Sequence, residues 1–354
     1  MNINNKLYSI TISVITLIIL YFFNDYYSIL VLVLSNLITV LSIIINTFNT
    51  VRHADVLAHR LGEPFGSLIL TLSVVILEAS LIAALMITSN NVSTLMRDTL
   101  YSVIMIVTTG LVGLSLLLGG RKFDTQSLNL AGIKQYLMAI ILLSIIVLIF
   151  PSTLPNGNFN AIQTIIIGIL CIVMYGVFLL IQTHTHQSWF IYAHEDVDNH
   201  IQSIHTSLWH GFWLIIHLLF VIITIKLNAS SLNKLLTIIN APKQITGFLI
   251  ASLTLSPEGL GAIRAVLNNQ AQRAMNLLFG SVLATISLTV PTVIVLSFIT
   301  KQQIFFSLTL PQCIALLTTL VVCQVSLSTG RTNILNGTTH LALFIMYLIT
   351  ILLY

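Results

Sequence analysis

PFGSLILTLSVVILEASLIAAL, from Pro64 to Leu85, is long enough to cross a bilayer and carries one carboxylate, Glu78, near its middle. An ionisable group at the centre of such a helix costs about 2.5–3.5 kcal/mol on insertion scales, so an acid at that depth marks an ion or proton path. A second apolar stretch, Ile245 to Ile263, carries Glu258. Two acids in matching places point to a transporter.

The composition sets the same class. Of 354 residues, 56% are hydrophobic and 7% charged, too little polar surface to cover a soluble globule of this size, so the chain reads as an all-α polytopic membrane protein. Cys171, Cys313 and Cys323 lie in apolar runs without paired spacing, which argues against a disulfide framework or a zinc site. The net charge of +4 comes from Lys and Arg scattered at the ends of apolar segments. That is a topology signal, and no nucleic-acid partner is expected. The apolar run after Lys6 lacks a small-residue cleavage site and reads as a retained first span.

Apolar runs of bilayer length predict about eleven transmembrane helices, at 7–23, 28–48, 65–88, 98–118, 134–150, 160–182, 211–227, 245–263, 274–298, 304–326 and 338–353. The long polar stretch, 183–210, separates the sixth from the seventh. Lys6, Arg52, Arg60, Arg121, Lys122, Lys134, Arg264, Arg273 and Arg331 fall on one side of the membrane. Arg97, Lys226, Lys234, Lys243 and Lys301 fall on the other. The positive-inside rule then places the N-terminus in the cytoplasm and the C-terminus outside, in a cell (cytoplasmic) membrane.

At an offset of 180 residues, SLILTLSVVILEASL from Ser67 lies on GFLIASLTLSPEGLG from Gly247, and Glu78 falls on Glu258. With eleven spans the two segments cross in opposite directions. The expected layout is an extra helix (1–25), a first five-helix repeat (26–182), a cytoplasmic loop (183–210) and a second, inverted repeat (211–354). Inverted repeats place substrate sites near the midplane at their interface. Each glutamate lies about 13 residues into its span, near 20 Å deep at about 1.5 Å per residue. Pro257 is expected to free the carbonyl of Leu253, and Gly259 and Gly261 to loosen the turn beyond it, whereas the first copy has only Gly62, Pro64 and Gly66 at its start. A lone membrane glutamate can also be protonated, hydrogen-bonded and structural; two at repeat-equivalent positions weaken that reading.

Three segments, HRLGEPFGSLILTLSVVILEASL, RDTLYSVIMIVTTGLVGLSLLLGGRKF and LSPEGLGAIRAVLNNQAQRAMNLLFGSVLATISLTVPT, are similar to the calcium/cation antiporter (CaCA) superfamily. Within it the chain resembles the ChaA-type Ca2+ (or Na+)/H+ antiporters, over roughly Arg60 to Thr292. The resemblance implies an extra helix followed by two inverted five-helix halves, with Glu78 and Glu258 as the cation and proton site. Vacuolar-type exchangers carry Gly-Asn-Ala-x-Glu before each transport glutamate. Here Val74, Val75, Ile76 and Leu77 stand in the first copy, and Thr254, Leu255, Ser256 and Pro257 in the second. The ligand asparagine is missing from both.

Ca2+ takes six to eight oxygens, and two carboxylates supply at most four. Supporting ligands are sought among Thr71, Ser73, Thr254, Ser256, Asn276, Ser281 and Thr285, carbonyls near Pro257, and water; each hydroxyl has the rival use of bonding back to its own helix. A carboxylate buried without a cation favours its protonated form, and a bound cation favours the ionised one. Competition for one site then couples the two fluxes, and two protons per calcium would keep it near neutral. No cofactor is expected, since Ca2+, Na+, K+ and H+ would all be cargo. The alternatives are an intramembrane enzyme using the same carboxylates and a cation uniporter or channel.

The 183–210 loop holds His184, His186, His194, His200, His205 and His210 beside Glu195, Asp196 and Asp198. It reads as a solvated interfacial helix, a pH- or Ca2+-sensing element built on His194, Glu195, Asp196 and Asp198, or a metal site without regular zinc spacing. Arg97, Asp98 and Arg273 begin spans and read as snorkelling anchors.

Overall fold

The computed structural model describes residues 11–20, 28–61, 94–154, 157–191, 206–238, 242 and 244–353, and, between 62 and 93, residues 68, 69, 71, 72, 75, 78, 79 and 82. Among these the architecture is helical: α1 Thr11–Leu20, α2 Ile29–Leu61, α3 Leu95–Phe123, α4 Leu130–Thr153, α5 Ala161–Thr185, α6 Ser207–Ile238, α7 Gln244–Thr254, α8 Ser256–Leu267, α9 Ala271–Thr300, α10 Leu310–Ser326 and α11 Ile334–Leu353. Seven of the described helices are long and apolar enough to cross a membrane, and α1, α7 and α10 are shorter apolar helices. The described residues from Leu68 to Ile82 are helical as well. Among the described residues, helices therefore stand where spans were expected, and most differences lie at their ends.

Those differences have local causes. The second span runs to Leu61 rather than 48, because the polar tail keeps a helical stripe (Asn46, Thr50, His53 and Leu57) that buries against its neighbours. The seventh starts at Ser207, inside the stretch expected to be loop. The tenth starts at Leu310, not 304: Thr309 and Gln312 form a capping box and Pro311 occupies the first turn. Residues 302–309 are non-helical yet bury Ile304, Phe306 and Leu308. Side chains satisfy this backbone: Ser152 donates to the Leu308 carbonyl at 2.9 Å, Arg97 to the Ser307 carbonyl at 2.8 Å, and Asn158 to the Ile304 carbonyl. Arg97 also pairs with Asp98 at 2.7 Å, so it pins this segment rather than simply snorkelling.

The eighth span is broken. α7 stops at Thr254, Leu255 forms a turn, and α8 begins at Ser256 with Pro257 in its first turn. Proline suits that position because its missing N–H would have had no helical acceptor there. α3 and α9 each contain a π-helical segment midway, at Ile106–Leu111 and Thr285–Thr289.

α2 and α6 lie antiparallel along a polar seam. At one end Asn228 donates to Asn36 at 2.7 Å and Asn36 to Ser231 at 3.2 Å. At the other, His217 contacts Asn46 at 3.0 Å, and His53 and His210 meet Nδ1 to Nδ1 at 2.8 Å, so one ring carries the proton and the other accepts it. α11 crosses α3 with near backbone contact: a Cβ on Gly113 would lie 2.9 Å from the His340 Cβ. A two-residue antiparallel pair, β1 (Gln126–Ser127) with β2 (Arg331–Thr332), ties the loop after α3 to the one before α11.

Candidate functional site

Glu258 is the third residue of α8, in the first turn after the break at Leu255. A carboxylate there meets helix N–H groups with no acceptor one turn back, an arrangement that favours negative charge. Glu78 comes from the helical Leu68–Ile82 region, and both side chains are sealed, 1% and 0% exposed.

One helix holds both. Ser281 Oγ donates to Glu258 Oε1 at 2.9 Å, and Thr285 Oγ1 donates to Glu78 Oε2 at 2.8 Å. Four residues apart, the two hydroxyls share a face of α9 and stand about 6 Å apart along its axis. Glu78 Oε1 and Glu258 Oε2 have no hydrogen-bond partner among the described residues. A buried site with two carboxyls, two hydroxyls and two uncommitted oxygens can hold protons on the acids or a cation between oxygens.

Glycines admit the neighbouring helices. A Cβ on Gly280, beside Ser281, would lie 3.8 Å from Thr71 Oγ1, so the Glu78 helix passes close to α9 at that point. A Cβ on Gly259 would lie 3.0 Å from Leu111, which packs the π segment of α3 beside Glu258. On Gly247 it would meet the Asp98–Thr99 backbone at about 3 Å, so α7 and α3 touch directly.

Of the supporting ligands nominated from sequence, Ser281 and Thr285 reach the carboxyls, and Thr71 lies near Gly280 on the same helix, α9. Thr254 and Ser256 bond back to carbonyls of α7. Asn276 is committed elsewhere: its amide donates to the Phe190 carbonyl at 2.6 Å and accepts from Gln272 at 2.9 Å. Ser73 lies outside the described residues, as do His194, Glu195, Asp196, Asp198, His200 and His205. His184 and His186 close α5, whereas His210 is buried in α6 against His53 rather than in a loop. Among the described residues no group of three or more His, Cys, Asp or Glu is placed to hold a metal ion.

Sequence reasoning missed the glycine approaches and His340, whose buried ring bonds to the π segment of α3. A histidine in an otherwise apolar span was the signal available for the latter.

Comparison with known proteins bears on the family and the fold. The chain matches the sodium/calcium exchanger protein family over residues 29–184 and 209–353. It is 58% identical over 349 residues to the sodium-potassium/proton antiporter ChaA of Escherichia coli (strain K12), covering 97% of this chain and 95% of the relative. It is 35% identical over 309 residues to the putative ionic transporter y4hA of Sinorhizobium fredii (strain NBRC 101917 / NGR234), covering 85% and 84%. The fold is similar to that of native YfkE, with a TM-score of 0.74 at 16% identity over 98% of this chain and 100% of that one. It is also similar to the H+/Ca2+ exchanger CAX, with a TM-score of 0.72 at 14% identity over 98% and 89%. A family match over both halves, joined to a relative of this identity and coverage, shows that the chain belongs to the sodium/calcium exchanger protein family.

Proposed function

We propose that this multi-pass membrane protein is a secondary active antiporter that exchanges protons for Na+, K+ or Ca2+ at the Glu78–Glu258 site by alternating access. The observation that carries the reading is the pair of sealed carboxyls, each with one oxygen held by a hydroxyl of α9 and one uncommitted. With the site empty of cation, protons neutralise the acids. A cation displaces them and leaves the site near neutral again, and neutrality is the condition for the loaded site to change sides across a low-dielectric layer. For Ca2+ this balance corresponds to two protons per ion. The 58% identical relative is named for sodium, potassium and protons. Monovalent cargo also suits a site to which Asn276 adds no neutral oxygen, since its Oδ1 accepts from Gln272 while its Nδ2 donates to the Phe190 carbonyl.

The same reading puts the N-terminus in the cytoplasm and the C-terminus outside a cytoplasmic membrane, supported by the basic residues clustered on one side. It makes the two halves inverted counterparts, supported by the antiparallel run of α2 and α6. The test is proton flux in everted vesicles after adding Na+, K+ or Ca2+. Wild type should release a preformed pH gradient on cation addition. Cation uptake without proton movement would instead show a uniporter or channel, and turnover of a substrate without any gradient an enzyme.

A further inference from the structure

The π segment of α3 skips one carbonyl. Val112 sends its N–H to the Val107 carbonyl, five residues back, and to that of Thr109, three back, passing over Thr108. A main-chain carbonyl left without a donor inside a membrane is costly. The donor comes from another helix: His340 Nδ1 lies 2.6 Å from the Thr108 carbonyl, and its ring is fully buried. A carbonyl only accepts, so Nδ1 carries the proton. Cys323 Sγ, 3.9 Å from the same carbonyl, is a weak second donor from α10. The next residues of the π segment lead to Leu111, packed against Gly259 beside Glu258.

We infer that His340 is a positioning residue for the exchange site: its Nδ1–H holds the Thr108 carbonyl and thereby fixes the π segment that sets Leu111 against Gly259. The inference rests on the antiport reading above. Without that donor Thr108 keeps only the weak Cys323 thiol, and the helix satisfies it fully by returning Val112 N–H to it. Removing the extra residue from the π turn rotates one half of α3 relative to the other by about 100°. Leu111 then leaves Gly259, and the first turn of α8 loses its backing.

The clamp is indifferent to charge. Ser326 Oγ is 2.8 Å from His340 Nε2 and 3.4 Å from the Cys323 carbonyl. The hydroxyl can donate to a bare Nε2, or turn its proton to Cys323 and accept from Nε2–H, and Nδ1–H···O=C is the same in both states. Neither α10 nor α11 carries Asp, Glu, Lys or Arg, and the charged residues of α3 (Arg97, Asp98, Arg121 and Lys122) sit near its ends, about 15 Å or more along the axis from Thr108.

The test compares wild type, His340→Leu, His340→Asn and Gly113→Ala in everted vesicles, with cation KM, maximal rate, pH profile and detergent-extracted monodisperse protein as readouts. His340→Leu should raise the cation KM on the order of tenfold, the scale of one lost buried hydrogen bond. His340→Asn, whose amide N–H can stand where Nδ1–H stood, should restore KM and keep the wild-type pH profile. Should His340→Leu fail to fold, Gly113→Ala carries the test, because its methyl would press on the His340 Cβ from 2.9 Å and should raise KM. A normal KM in His340→Leu, or in Gly113→Ala where that variant carries the test, overturns the inference. So does a pH profile displaced in His340→Asn, which would make the ring a proton carrier. Wild-type vesicles without cation-dependent proton flux would overturn the antiport reading and this inference together.

Discussion

Glu78 and Glu258 were legible from sequence because a charge in an apolar run has few explanations, and a second at a repeat-equivalent place has fewer. Glu78→Gln and Glu258→Gln should each abolish cation-dependent proton flux while leaving the protein monodisperse; normal exchange in either would remove that residue from the site. Their hydroxyl partners were less legible. Seven side chains stood at plausible positions, and a hydroxyl in a helix is always within reach of its own i−4 carbonyl, as Thr254 and Ser256 show. Only the packing of α9 aims Ser281 and Thr285 at the acids. A hydrogen bond to a charged group contributes about 1.5–3 kcal/mol. Ser281→Ala and Thr285→Ala should therefore each raise the cation KM by about ten- to a hundredfold, read in the same flux assay, with the double variant near inactive. Unchanged KM values would show that the hydroxyls stabilise the empty site alone.

At the scale of elements, hydropathy located the helices because each must satisfy its backbone within itself, while their ends followed cap and seam chemistry spread over distant residues. The break before Glu258 is a local feature, announced by Pro257 and realised as the turn at Leu255. Pro257→Ala removes the obstacle to a continuous helix from 244 to 267. It should leave the amount of folded protein unchanged and lower the maximal exchange rate at least about tenfold, since α8 would no longer start beside Glu258 and its free N–H groups would be consumed. Wild-type turnover would show that the break is incidental. The π segments were not legible, because an extra residue in one turn leaves hydrophobic periodicity almost untouched and depends on an outside donor such as His340. Gly247→Val should push α7 off the Asp98–Thr99 backbone and reduce extractable folded protein; full recovery on size-exclusion chromatography would contradict the contact.

Over the whole molecule the site draws on distant segments, since hydroxyls of one helix, α9, hold both acids. The alternating-access reading makes Leu111 a useful reporter beside Glu258, and the native cysteines Cys171, Cys313 and Cys323 are buried, so background labelling should be low. Leu111→Cys should react with an impermeant maleimide from one side of the membrane at saturating cation and from the other at low pH. Reaction from one side under both conditions would contradict rocking around this point. What the sequence determined by itself was class, the approximate positions of the described spans, and the two acids that stand out within apolar runs. Each follows from the cost of polar groups in hydrocarbon, which is paid residue by residue and so is written locally. Which hydroxyls serve the acids, where Asn276 and His210 spend their bonds, and how Thr108 finds a donor were decided only by the tertiary structure. A hydrogen bond between residues separated by 86, 157 or 232 positions depends on distances that no local pattern encodes.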